Sequence, residues 1–285
     1  MNLRSDKHTL TSIVLIVVFI AIFIVAFFPV WVRLVMTWYN SGEYSHGFFI
    51  LPLCCYIIWR KKDDLAGIPA RPSAWGLAII VFALFIYLFA HFARIMTLTS
   101  LSMIMVIAGV PIYFYGFVMF RHLLFPIFLL LFMIPIPLQI YASLTVPLQL
   151  FVSKVTVGIL SLWNIPIFRE GNVIKIPGHT LQIVDACSGL RSMITLLLLG
   201  AVLGYLTIKS LFLRMVLFIS AVPIAIFVNV VRVLFLIIAY YYFNYDLTIG
   251  TIHVLFGLII FILDLIFIFA VKGVLSIWDR SGGAK

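Results

Sequence analysis

Long apolar stretches recur from Leu10 almost to the C-terminus, and they constrain the fold of this chain more than any other feature. A helix needs roughly 20 apolar residues to cross the hydrocarbon core of a bilayer, and about eight stretches meet this length. No soluble domain of 285 residues can bury a sequence that is 65% hydrophobic and only 10% charged. The sequence therefore predicts an all-α integral membrane protein, with residues 1–285 forming one polytopic domain.

The apolar stretches define eight predicted transmembrane helices. Their approximate limits are 10–32, 44–59, 75–92, 97–118, 122–140, 187–207, 211–243 and 253–271. The first resembles a signal peptide, since Arg4 and Lys7 precede it, but it is too long and no small-residue cleavage site follows. It is predicted to be a retained membrane anchor.

Basic residues predict the orientation of these spans. An even number of spans puts both termini on one face, and twelve of the nineteen Lys and Arg residues fall on that face. These are Arg4, Lys7, Arg60, Lys61, Lys62, Arg71, Arg121, Lys209, Arg214, Lys272, Arg280 and Lys285. By the positive-inside rule both termini are cytoplasmic, in a multipass protein of the cell membrane.

Two segments between spans differ from the rest. Polar residues and Pro147 interrupt 141–168, which predicts an interfacial or re-entrant helix; a full crossing there would invert every later span. Residues 169–186 alternate in polarity around Pro177-Gly178, which predicts a small extracytoplasmic β-hairpin leading directly to Cys187. The tail 281–285 carries no interpretable signal.

The charge and cysteine content exclude several classes of protein. The net charge of +10 comes from basic residues scattered between apolar runs, not from a basic tract with exposed aromatics, which argues against nucleic-acid binding. Cys54 and Cys55 are adjacent in an apolar run while Cys187 stands alone, so no disulfide framework is indicated. No spacing of Cys and His predicts a metal site, and no cofactor is predicted.

The first candidate for chemistry is the run Cys187-Ser188-Gly189-Leu190-Arg191. It is predicted at the outer mouth of a helix, where unpaired amides and a partial positive charge favour thiolate over thiol and can hold an oxyanion. Arg191, four residues on, is expected on the same helical face as Cys187. The alternative is that Cys187 only fills space as a small apolar residue.

Two further helices bring polar residues to the same predicted level. Asn229 and Arg232 lie three residues apart in an otherwise apolar helix, and His253 opens the last span beside Gly257. Arg232 could instead be a snorkelling anchor, and His253 an interfacial hydrogen-bonding residue. His46, at the outer end of its own span, is the rival for an acid–base role.

These motifs together resemble the exosortase/archaeosortase family. The resemblance rests on Ala186–Arg191, on Pro223–Arg232 and on His253. It extends to Tyr44-Ser45-His46-Gly47, to Pro135-Ile136-Pro137 and to Glu170-Gly171-Asn172, and covers roughly residues 40–270.

This resemblance implies a membrane cysteine protease or transpeptidase with Cys187, Arg232 and His253 as its catalytic triad. The expected partners are exported proteins with a C-terminal transmembrane sorting signal of the PEP-CTERM type, membrane lipid and, for transpeptidation, an amine acceptor on a cell-surface component. Two other classes stay open: a multipass transporter, suggested by intramembrane Arg232 and Asp264, and a noncatalytic assembly factor. Asp264 is expected to matter for packing more than for turnover.

Overall fold

A computed structural model describes residues 17–182, 189–248 and 250–282. The chain divides into two compact units, Met1–Ile136 and Pro137–Lys285. In the described part of unit 1 the helices are α1 Val17–Ala26, α2 Phe28–Asn40, α3 Gly47–Arg60, α4 Lys62–Ala66, α5 Ala74–Phe92 and α6 Met96–Leu130, followed by a 3-10 turn Leu131–Met133. In the described part of unit 2 the helices and strands are α7 Leu138–Ser161, β1 Phe168–Glu170, β2 Val173–Ile176, β3 His179–Gln182, α8 Leu190–Thr207, α9 Leu211–Phe243 and α10 Gly250–Gly282.

The protein is a multipass membrane protein. Among the described residues, six helices are long and apolar enough to span a membrane, and a seventh span results if the bent pair α1 and α2 is one crossing. About eight spans were predicted, and three features explain the difference. The span expected at 44–59 is the 14-residue helix α3, the spans expected at 97–118 and 122–140 both fall within α6 and the turn that follows it, and α7 is an additional candidate.

Helix α6 consists of two arms that fold back on each other at Gly116. A straight helix of 35 residues would be about 52 Å long. Yet the hydroxyl of Thr97, at its start, donates to the carbonyl of Pro135, beyond its end, at 2.9 Å. Gly116 makes the reversal with φ +80°, and an added Cβ would collide with the carbonyl oxygen of Arg71. The two arms correspond to the two spans predicted from sequence.

The segment 131–136, which follows the second arm of α6, is held by side chains from elsewhere in unit 1. Trp38 Nε1 donates to Met133 O at 3.0 Å, and His46 Nε2 donates to Phe132 O at 3.0 Å. The Ile136 amide donates to the Tyr44 hydroxyl at 3.2 Å. Because Pro135 and Pro137 prevent regular helix here, side chains satisfy the backbone groups that a helix would otherwise pair.

Helix α7 occupies the segment predicted to be interfacial or re-entrant. It is continuous over 24 residues through Pro147, and its length and apolar composition are sufficient for a crossing. One face buries polar side chains, namely Thr145, Gln149, Ser153 and Thr156. Lys154 is exposed about 7 Å past the helix centre, a position that is costly for an ammonium group in hydrocarbon.

A three-stranded antiparallel sheet stands where a hairpin was predicted. Strands β2 and β3 pair from Val173↔Gln182 to Ile176↔His179 across the expected Pro177-Gly178 turn. Strand β1 adds a third strand, pairing Phe168 with Lys175 and Glu170 with Val173. The alternating pattern of NVIKI buries Ile174 and Ile176, which explains why this face of the sheet packs on the helices.

Both turns of the sheet are bonded to helices. At the β1–β2 turn, Ser153 of α7 donates to Gly171 O at 3.2 Å, and Asn172 Nδ2 donates to Gln149 Oε1 of α7 at 3.2 Å. At the β2–β3 turn, the Tyr240 hydroxyl near the end of α9 donates to Gly178 O at 3.1 Å. The sheet is therefore fixed on the end of the bundle at which α9 finishes and α8 begins.

Helices α8, α9 and α10 form the rest of unit 2. Small residues allow close packing: the backbone of Gly200 in α8 faces Leu217 and Phe218 of α9 and Ile268 of α10. At the end remote from the sheet, the Asp279 carboxylate accepts the amides of Lys209 and Ser210 at 2.8 and 3.0 Å. These two hydrogen bonds tie the residues that precede α9 to the last turns of α10.

Candidate active site

The start of α8 is shaped by Gly189. This residue has φ +66°, in the left-handed region, and it is buried. Only glycine adopts this conformation without strain, and the α-helix begins directly after it, at Leu190. The sequence placed the helix start at Cys187; the structure moves it to Leu190, because the left-handed residue interrupts helical geometry.

Asn229 of α9 packs against this glycine. A Cβ added to Gly189 would lie 2.7 Å from Asn229 Nδ2 and 3.2 Å from Leu148 Cδ2 of α7. The Asn229 side chain is 5% exposed, and Nδ2 has no hydrogen-bond partner among the described residues. An amide donor without a partner among the described residues therefore lies beside Gly189, which follows the Cys187-Ser188 dipeptide in the chain.

Arg232 lies one turn further along α9 and reaches α10. Its Nη2 atom is 4.0 Å from the position of a Cβ added to Gly257, the nearest group to that glycine. Its Nε is buried and has no partner among the described residues. The side chain is only partly buried. The missing side chain at Gly257 thus leaves the space into which the guanidinium fits.

His253 is held one turn from Gly257, at the start of α10. The link from α9 is short: Asn244 ends α9 in the left-handed conformation, and the Asp246 carboxylate accepts both the amide and the hydroxyl of Thr248. This turn leads directly into α10. His253 is half-buried, and its Nδ1 is buried without a partner among the described residues.

The arrangement brings predicted positions together in two separate contacts and leaves others apart. Contacts run from Gly189 to Asn229, and from Arg232 to Gly257 beside His253. Cys187 and Ser188 lie outside the described residues. Arg191 is exposed in the first turn of α8, and the left-handed Gly189 breaks the helical path that was expected to align it with Cys187.

His46 has a different environment, within unit 1. Its Nε2–H donates to Phe132 O, so that this nitrogen is occupied in holding the segment 131–136. Burial of the ring lowers the pKa of His46 from its ordinary 6.5, although its backbone hydrogen bonds act in the opposite direction. An imidazole that supports backbone structure through a hydrogen bond is the role visible in the described contacts.

One contribution to the site had not been identified from the sequence. The α7 residues Leu148 and Gln149 wall the start of α8 and anchor the sheet, although the interruption of this segment by polar residues was the available signal. Asp264 of α10 is fully buried on the face that also carries His253 and Gly257. Among the described residues, no group of three or more metal-ligating side chains is present.

Two donors that lack partners among the described residues therefore lie one turn apart on α9, one against Gly189 and the other against Gly257, which is one turn from the half-buried imidazole of His253. The fold and this polar end define a polytopic membrane protein whose candidate active site lies where its last three helices meet a small sheet. The family model of the transmembrane exosortases (Exosortase_EpsH) matches residues 38–270, and the chain belongs to this family. Neither the curated proteins nor the solved structures contain a significant match to it.

Proposed function

We propose that the protein is a cysteine endopeptidase or transpeptidase that cleaves the C-terminal sorting signals of exported proteins at the extracytoplasmic face of the cell membrane. The observation that carries the proposal is the pair of contacts that Asn229 and Arg232, one turn apart on α9, make with Gly189, two residues after Cys187, and with Gly257, one turn from His253.

In the proposed reaction the Cys187 thiolate attacks the peptide carbonyl at the cleavage site. A thioacyl bond forms, and His253 gives a proton to the departing amine as the peptide bond breaks. Water or an amine then takes the acyl group and restores the thiol. Hydrolysis and transpeptidation differ only in this acceptor.

Arg232 and Asn229 are assigned to the negative charge that develops on the carbonyl oxygen. Both are donors that lack partners among the described residues, and both lie in apolar surroundings where such hydrogen bonds are strong. Removing one donor of this kind typically lowers turnover roughly 100-fold or more. The backbone amides of Ser188, Gly189 and the first turn of α8 follow Cys187 directly in the chain, and they are assigned to the same charge.

A groove beside the site suits a substrate anchored in the membrane. It lies between α9 and α10, has a volume of about 320 Å³, and is lined entirely by apolar side chains. Val231, the neighbour of Arg232, belongs to it, as does Phe256, the neighbour of Gly257. An apolar helix that placed its side chains here would hold its cleavage motif at the level of Arg232.

The orientation is part of the proposal. The basic residues predict cytoplasmic termini, and an extracytoplasmic site follows if α3 and both arms of α6 cross the membrane and α7 does not. The exposed Lys154 and the hydrogen bonds from α7 to the sheet support an interfacial α7.

The test is co-expression with an exported protein that carries a PEP-CTERM-like tail. Wild type should shorten this substrate, whereas Cys187→Ala, Arg232→Ala and His253→Ala should not, at matched abundance. Arg191→Ala is the control, since its side chain is exposed in the described structure and should leave processing within about two-fold. Normal processing by Cys187→Ala would refute the cysteine mechanism and favour a noncatalytic role for this chain.

A further inference from the structure

Asp264 is the most deeply buried ionisable side chain in the described part of unit 2. It is 1% exposed, and neither carboxylate oxygen has a hydrogen-bond partner among the described residues. A carboxylate in apolar surroundings is costly unless a nearby positive charge or a proton compensates it. The buried Asp264 carboxylate therefore needs a compensating group within the bundle.

The position of Asp264 on α10 indicates which helices it faces. His253, Gly257, Ile260, Asp264 and Ile268 follow one another at intervals of four, three, four and four residues, which places them on one helical face. Ile268 packs within the core formed by α8 and α9. Asp264, one turn earlier, thus points into the bundle and away from lipid.

Arg232 is the basic side chain of α9 that reaches the face of α10 on which Asp264 lies. The guanidinium lies at Gly257, seven residues and about 10 Å along α10 from Asp264. Because Cα–Cβ bonds tilt toward the start of a helix, the Arg232 side chain leans along α9 in the direction of Asp264. The two groups form no direct ion pair among the described residues.

Two other roles fit less well. Asp264 lies eleven residues from His253, about 16 Å along the helix axis, which is too far for it to orient the imidazole. A cation site would need further ligands, and among the described residues no cluster of three such groups exists.

We propose that Asp264 is a positioning residue that acts through Arg232, supplying the counter-charge that keeps the guanidinium in the bundle at the Gly257 gap. The inference rests on the proposed function for its effect on turnover, but the coupling between the two charges is independent of it. It gives Asp264 a larger part in turnover than the sequence suggested.

The experiment compares Asp264→Asn, Arg232→Gln and the double variant for thermal stability in detergent. Arg232→Gln should lower the melting temperature, because it leaves the carboxylate uncompensated, and adding Asp264→Asn should restore most of that loss. Asp279→Asn is the matched control: the same change on the same helix, at a carboxylate that binds residues preceding α9. Its effect should simply add to that of Arg232→Gln.

Processing supplies the second readout. Asp264→Asn should lower turnover about ten-fold at matched abundance with little change in KM, and Asp264→Glu should recover part of the activity. Strictly additive melting shifts for Asp264 and Arg232 would overturn the proposal. So would Asp264→Asn turnover within two-fold of wild type. If wild type processes no substrate, the proposed function fails while the melting temperatures still decide the coupling.

Discussion

Arg232 is the residue whose surroundings most constrain the chemistry of the site. A guanidinium stays charged at any physiological pH, so a bundle of apolar helices has to provide space and compensation for it. Gly257 provides the space, and Asp264, by our proposal, provides the compensating charge. The same placement leaves its buried Nε without a partner among the described residues, and by our proposal this group binds the substrate oxygen.

Substitution of Gly257 tests the space that Arg232 occupies. A Cβ would stand 4.0 Å from Nη2, an ordinary contact, so Gly257→Ala should retain most processing activity. The branched side chain of Gly257→Leu would occupy the position of the guanidinium and should lower turnover roughly 100-fold. Gly273→Leu on the same helix, where nothing lies within 4 Å of an added Cβ, is the control. Equal activities for Gly257→Leu and wild type would show that Arg232 does not need this gap.

The surroundings of His46 in unit 1 predict that the stability of the protein depends on pH. Burial lowers its pKa in the folded state below the ordinary 6.5, so the folded protein resists protonation more than the unfolded chain does. Stability should therefore be full above pH 6.5 and decline as the pH falls through that value and toward the lowered pKa. Thermal melting between pH 5 and 8 measures this. His46→Gln should flatten the dependence, and an unchanged profile in that variant would assign the effect elsewhere.

At the scale of elements, the anchored sheet connects the motif Glu170-Gly171-Asn172 to the site. Its members have unlike roles: Asn172 binds Gln149 of α7, whereas Glu170 forms an exposed ion pair with Lys175 at 2.6 Å. That ion pair lowers the pKa of Glu170, but because the pair is exposed to solvent it contributes little to the stability of the fold. Since β3 precedes Cys187 in the chain, the attachment of the sheet bears on the proposed nucleophile.

Paired substitutions separate these two roles. Asn172→Ala removes a partly buried hydrogen bond and should cost about 1 kcal/mol of stability, with a fall in processing rate as the sheet loosens. Glu170→Gln should change neither quantity measurably. Hydrogen exchange of the β2 and β3 amides, together with processing assays, tests both variants. Faster exchange in Glu170→Gln than in Asn172→Ala would reverse our assignment.

Elements with strong patterns could be predicted from the sequence, whereas those set by single backbone conformations could not. The turn Pro177-Gly178 and the apolar runs of α5 and α9 lie where expected, because periodicity and length specify them. The start of α8 was placed three residues early, since a left-handed Gly189 has no signature in a Cys-Ser-Gly run. Strand β1 was missed because three residues carry too little alternation.

The candidate site likewise divides into features that the sequence predicts and features that depend on how the helices pack. Asn229, Arg232 and His253 were expected at one level because polar residues are rare in apolar helices, and the structure brings α9 and α10 together there. The contact of Leu148 with Gly189 could not be anticipated, because it depends on how α7 packs. The pairing of Gly257 with Arg232 likewise depends on the register between two helices.

At the scale of the whole molecule, the crossing of α7 decides the face on which Cys187 opens. Labelling with a membrane-impermeant maleimide tests this in intact cells, in a background lacking Cys54 and the exposed Cys55. We expect Cys187 to be labelled from outside. Cysteines introduced at Asp63 and Lys209, both exposed, should react only after permeabilisation. Labelling of position 209 but not 187 from outside would mean that α7 spans the membrane.

The central claim is that Cys187 forms a covalent thioacyl bond with the substrate. The most direct measurement is the mass of the enzyme quenched in acid during turnover, with and without neutral hydroxylamine, which cleaves thioesters. The account predicts an adduct equal to the N-terminal substrate fragment on the Cys187 peptide, removed by hydroxylamine and absent from Cys187→Ala. Processing without any adduct, or an adduct that persists in Cys187→Ala, would contradict it.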